Sequence, residues 1–178
     1  MSRIRTSLFA TALIGLTLAM SSTLYAQCIP ALFPVDWLQT QENAGGHTIA
    51  SHVGRSNLQL TTRLQNQQLD AVGTFPSSGH PYPAAAAQAT ITARIAVDRI
   101  AINNWAAHAN LNATRAYNYV AQPLATIGRV ATWNNGNPPA PVVNNTCTFR
   151  VVVKATGGGN CYILTSYPTD PPPGTNCP

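Results

Sequence analysis

The stretch Cys147-Thr148-Phe149-Arg150-Val151-Val152-Val153-Lys154-Ala155, then Thr156-Gly157-Gly158-Gly159-Asn160, then Cys161-Tyr162-Ile163-Leu164-Thr165-Ser166-Tyr167, decides the fold. Valine, isoleucine and aromatic side chains fill the two outer runs, and these types suit a pleated, half-buried surface. The glycines between them accept positive φ without steric penalty, so the stretch predicts an antiparallel hairpin. Side chains alternate with period two along a strand. Phe149, Val151 and Val153 are therefore expected on one face, and Thr148, Arg150, Val152 and Lys154 on the other. By the same rule Thr165 and Tyr167 are expected to share a face with Ile163.

The hairpin also constrains the cysteines Cys28, Cys147, Cys161 and Cys177. Cys147 sits beside the far end of the second strand, where the chain runs on towards Cys177, whereas Cys161 lies opposite residue 154. Of the three pairings that four cysteines allow, this favours Cys147 with Cys177 and Cys28 with Cys161. An even set suits an oxidising compartment, and no C-x-x-C spacing points to a metal site.

Outward from the hairpin, Ala125 to Trp133 alternates as a strand, with Ile127, Arg129, Ala131 and Trp133 on one face. A loop rich in proline and asparagine is expected over residues 134–146, and an asparagine-rich polar stretch precedes the strand. Ile91, Ile95, Ile102 and Trp105 form one apolar stripe, which predicts a single long helix over residues 84–108 with proline in its first turn. Phe75 to Pro83, with His80, reads as loop. Ser56-Asn57-Leu58-Gln59 fits a capping box and predicts a helix that carries Arg63 beside its buried face. Residues 27–44 read as an irregular lead-in pinned by Trp37. Helices first and strands afterwards imply an α+β fold, with N-terminal helices packed on an antiparallel sheet.

The chemistry concentrates in Gly45-Gly46-His47-Thr48-Ile49-Ala50-Ser51-His52-Val53-Gly54-Arg55-Ser56. His47 and His52 stand five apart, which suits a shared helix face less well than four, and only Glu42 is a nearby carboxylate. No metal site is expected. A histidine, an arginine and hydroxyls from a strand instead meet the needs of RNA cleavage by internal transphosphorylation. That reaction requires a base for the 2′-OH, an acid for the departing 5′-oxygen and a cation for the charged phosphorus.

The blocks GGHTIASHVGRSNLQLTTRL (residues 45–64), Ile102-Asn103-Asn104-Trp105, Ile127-Gly128-Arg129-Val130 and Tyr162-Ile163-Leu164-Thr165-Ser166-Tyr167-Pro168 resemble, in order, the bacterial ribonuclease A-like toxin domain. That domain ends contact-dependent growth inhibition and other polymorphic toxins. The resemblance spans about Glu42 to Pro168. It implies a kidney-shaped ribonuclease A-like fold with a curved antiparallel sheet, and metal-independent endoribonuclease activity without a cofactor. It assigns His52, Arg63, Thr165 and Tyr167 as the catalytic set, with His47 and Arg55 as secondary candidates. RNA is the implied substrate, a cognate immunity protein an implied partner, and a monomer the expected state.

Residues 1–26 read as a secretory signal: Arg3 and Arg5, then an apolar run from Leu8 to Met20, then Leu24-Tyr25-Ala26. The remaining residues 27–178 are expected to form one secreted or periplasmic domain with a proline-rich tail and no membrane segment. Without the leader, eight Lys and Arg face five Asp and Glu, a net charge of about +3. Seven of those cations are arginine, the side chain shaped for forked contact with phosphate. The competing expectation is a non-catalytic secreted binding protein on the same scaffold. It would be favoured by a wide separation of His52 and Tyr167, or by a cleft blocked by the tail.

Overall fold

The computed structural model describes residues 28–79, 81–136 and 138–178; the expected leader and His80 lie outside the described residues. The hairpin is present. β5 (Thr148–Gly157) and β6 (Asn160–Thr169) pair antiparallel around Gly158 and Gly159, which take φ of 60° and 81°. Positive φ at both central residues is what a two-residue hairpin turn of type I′ demands. Phe149, Val151 and Val153 are fully buried, as their spacing predicts.

Thr165 and Tyr167, however, do not share a face with Ile163. Val153 pairs with Ile163 but Val152 pairs with Thr165, so Leu164 is an extra residue on β6. Directly opposed residues project to the same side of a sheet. This bulge leaves Ile163 in the core with Val153 and turns Thr165 and Tyr167 to the opposite face, beside Val152 and Arg150. Period-two reasoning fails wherever a bulge intervenes.

β2 (Thr114–Val120) completes the first sheet in the order β2-β5-β6. The sequence shows only a polar stretch there, because an edge strand with a solvated face needs few apolar residues. A second antiparallel sheet has the order β1-β3-β4, from β1 (Ala71–Thr74), β3 (Gly128–Trp133) and β4 (Pro141–Thr146). β3 is the strand expected over Ala125–Trp133. β4 replaces half of the expected loop: as an edge strand it tolerates asparagines, and Pro141 stands at its first residue, where no ladder donor is needed.

The helices are α1 (Trp37–Asn43), α2 (Thr48–His52), α3 (Asn57–Gln67), α4 (Ala85–Ile95) and α5 (Arg99–His108). The capping box at Ser56 forms as predicted: Gln59 N–H donates to Ser56 Oγ, and Ser56 N–H to Gln59 Oε1. The single long helix over 84–108 is instead two. Val97 N–H donates to Arg94 O and Arg99 N–H to Ala96 O, three-residue steps that turn the axis. A straight helix of that length would run for about 37 Å. The break lets Ile91, Ile95 and Ile102 all reach one cluster with Phe149, Val151 and Val153, each completely buried. Each such aliphatic side chain contributes about 1.5–3 kcal/mol by leaving water. The lead-in also contains more order than expected, in α1, though Trp37 is buried as its position suggests.

A smaller cluster of Leu60, Leu64, Val72 and Ala131 holds α3 on the second sheet. Both expected disulfides form, Cys28 with Cys161 and Cys147 with Cys177. Cys161 stands opposite Ala155, one residue from its expected partner position. The architecture is α+β.

Candidate active site

One edge of β6 pairs with β5, and the histidine motif covers part of the other. Ile163 N–H donates to Gln41 Oε1 at 3.1 Å, His47 N–H to Leu164 O at 2.9 Å, and Ser166 N–H to Thr48 Oγ1 at 2.8 Å. Backbone groups that would otherwise be buried unpaired are thereby satisfied. The two glycines divide the work. Gly45 takes φ of 110°, whereas a Cβ on Gly46 would lie 2.5 Å from Ile163 O and 2.8 Å from Gln41 O.

α2 has a single turn, too short to hold itself together. Glu42 secures it by accepting from Ile49 N–H at 3.0 Å and Ala50 N–H at 2.8 Å. A carboxylate at this end also suits the helix dipole. His52 closes the turn and points to the seam between the two sheets.

That seam depends on Gly73 in β1. A Cβ there would fall 1.8 Å from Pro168 O, so only glycine lets β1 lie against β6. The Gly73 carbonyl then meets His52 Nδ1 at 2.9 Å. A carbonyl only accepts, so Nδ1 carries the hydrogen and the neutral ring keeps its lone pair on Nε2. His52 is 7% exposed. Burial pushes its pKa from 6.5 down to about 4; the Gly73 bond opposes this, and the charges of Arg63, His47 and Arg55 add to it.

The His52 and Tyr167 rings lie 5.0 Å apart between centroids, at 31°. Thr165, two residues before Tyr167 on the same face, has a buried hydroxyl with no hydrogen-bond partner. Such an orphan in a native site calls for a ligand, a water or a mechanistic role. Arg63 projects from α3 and donates from Nη1 to Ser51 O at 3.2 Å and from Nε to Gln67 Oε1 at 3.1 Å. The first bond fixes its guanidinium to the turn that carries His52.

The structure thus brings His52 and Tyr167 together, with Thr165 on Tyr167's strand face and Arg63 in electrostatic reach of His52. His47 is exposed beside them, its ring 6.5 Å from that of His52. Arg55 is engaged differently: its Nη2 donates to Ala50 O, and its buried Nε has no partner. Sequence reasoning missed Gly73, Gln41 and the capping role of Glu42. An isolated glycine within an apolar run, Ala71-Val72-Gly73-Thr74, signals close backbone approach. Glu42 and Gln41 act across loops and leave no spacing signature.

Residues 46–168 of this 178-residue chain match the family described as the bacterial CdiA-CT RNAse A domain. The chain belongs to that family. The α+β arrangement of helices and antiparallel sheets is accordingly a ribonuclease A-like fold, and the family is one of ribonuclease toxin domains. No curated protein and no solved structure gives a match. All six candidate side chains of this CdiA-CT RNAse A domain fall within the matched span, but Cys28 and Cys177 fall outside it. Each disulfide therefore ties one flanking segment to the family domain.

Proposed function

We propose that the protein is a secreted bacterial ribonuclease toxin that cleaves RNA without a metal, by transphosphorylation to a 2′,3′-cyclic phosphate. The observation that carries this reading is the pairing of a neutral His52, its Nε2 free to accept a proton, with Tyr167 at 5.0 Å. His52 takes the 2′-hydroxyl proton as the 2′-oxygen bonds to phosphorus. The phosphorus–5′-oxygen bond breaks, and the Tyr167 phenol protonates the departing oxygen. The proton then returns from imidazolium to phenolate. Arg63 offsets charge on the phosphorane, and the unpartnered Thr165 hydroxyl donates to a phosphate oxygen or a base.

A base with a pKa of about 4 is weak. Bound substrate offsets the smaller part of this: burial is the main cause of the low value, and a phosphodiester beside Arg63 cancels one of the lesser positive charges that oppose imidazolium. The internal nucleophile restricts the reaction to RNA. An all-RNA oligonucleotide should be cut and its all-deoxy counterpart left whole; cutting of both would remove the mechanism. The proximity of His52 and Tyr167 favours catalysis over the non-catalytic binding alternative. The leader sequence and paired cysteines favour an extracytoplasmic route, and an immunity protein would be the natural partner of such a toxin.

A further inference from the structure

Across the first sheet, Asn118, Arg150 and Tyr167 stand in one row, paired strand to strand. Arg150 therefore projects on the same face as Tyr167, about 5 Å away across the ladder. It opens into a cleft of about 290 Å³ lined by Asn118, Val120, Thr148, Arg150, Thr169 and Asp170. That volume lies at the low end for ligand pockets, which suits one planar ring better than a whole nucleotide.

The polar groups of this cleft differ in what they have left to offer. Thr148 Oγ1 donates to Thr169 O at 2.9 Å and accepts from Thr169 Oγ1 at 3.1 Å, so the hydroxyls are already engaged. Arg150 donates from Nε to Asn118 Oδ1 at 2.7 Å, which orients the guanidinium and leaves the Asn118 amide N–H groups as donors. Arg150 bonds there to an amide and not to Asp170, although both charged side chains line the cleft. The cleft lining thus includes both a forked donor, Arg150, and a carboxylate acceptor, Asp170.

We infer that this cleft is a nucleobase subsite of the ribonuclease site and that it reads guanine. The inference rests on the reading of the His52 site as one that cleaves RNA. Guanine offers adjacent acceptors, O6 and N7, which pair with a guanidinium in two-bond form. Its neighbouring Watson–Crick edge offers adjacent donors, N1–H and N2–H, to a carboxylate. Adenine, cytosine and uracil each leave Arg150 or Asp170 with one bond at most. Guanine therefore gives the two charged groups more hydrogen bonds than any other base.

The test has two arms. In the first, fluorescent 2′-deoxy tetranucleotides, which cannot be cleaved by this chemistry, are titrated with the protein. One contains a single guanine among thymines, and the others adenine or cytosine in its place. The guanine probe should bind tightest, and Asp170→Asn or Arg150→Gln should reduce its advantage about ten-fold. In the second arm, cleavage of an RNA that contains every dinucleotide step should place guanine beside the cut bonds, and the same substitutions should erase that bias. Equal binding of the three probes, no binding, or a bias untouched by both substitutions would overturn the subsite. A guanine preference in the first arm without cleavage in the second would leave the subsite standing and defeat the catalytic reading instead.

Discussion

His52 Nδ1 is held 2.9 Å from the carbonyl oxygen of Gly73, a residue that no side chain could replace without striking Pro168. That bond fixes the histidine's tautomer, and the close approach of Gly73 to Pro168 brings the two sheets together around it. This placement also makes the candidate base a determinant of stability.

The pH dependence of folding follows from this. His52 titrates near 6.5 when unfolded and about 4 when folded, so between these values the unfolded chain binds more protons. Its contribution to stability is present in full above pH 6.5 and is lost as pH falls towards 4. At about 1.4 kcal/mol per pH unit, the loss is on the order of 3 kcal/mol. Urea unfolding at pH 7 and pH 4.5 should show it in the wild type. In His52→Gln the component should vanish.

Activity should carry the same signature. Because kcat/KM reports the free enzyme, its acid limb should lie near pH 4 and not near 6.5. The acid limb of kcat should lie higher, since bound phosphate offsets the Arg63 charge. Coincident limbs near 6.5 would show that another group is the base.

Arg63→Ala should lower kcat on a dinucleotide by about 10²–10³-fold, the usual range for loss of one charge-stabilising donor. It should also raise the pKa of His52, because a cation that opposes imidazolium has gone. Imidazole proton shifts followed by NMR across pH 3–8 would show that rise. An unshifted His52 together with full activity would exclude Arg63 from the site.

Gly73→Ala places a methyl where Pro168 O lies 1.8 Å away, so β1 must move off β6. Overpacking commonly costs about 1–3 kcal/mol, and a backbone neighbour cannot rotate aside. Stability should fall by at least that much, and activity with it. A variant as stable and active as wild type would mean that the seam is softer than its contacts imply.

The disulfides close intervals of 133 and 30 residues. By loop-closure entropy, serine replacement of Cys28 and Cys161 should cost about 5 kcal/mol, against about 4 for Cys147 and Cys177. Chemical unfolding of the two double variants would rank them.

The parts of the fold legible in the sequence are those with dense local signals. The β5–β6 hairpin announces itself by valines and glycines, α3 by its capping box, and the disulfides follow from the hairpin's geometry. β2 and β4 are hidden because edge strands can be polar, and α4 and α5 read as one helix because their apolar stripe runs through the break. The candidate site was visible as residue types in a family pattern. What was not visible is what arranges them: the Leu164 bulge that turns Thr165 and Tyr167 to the face opposite Ile163, the contact of Gly73 with Pro168, and the grip of Glu42 on α2. These are relations between distant segments, and no local spacing encodes them.

The most direct test of the central claim is cleavage of an end-labelled RNA by the oxidised protein in excess chelator, beside His52→Ala and an all-deoxy control. Cutting of the RNA alone, with 2′,3′-cyclic phosphate ends and none from a folded His52→Ala, is the predicted result. Undiminished cutting by His52→Ala, or none by the folded wild type, would contradict it.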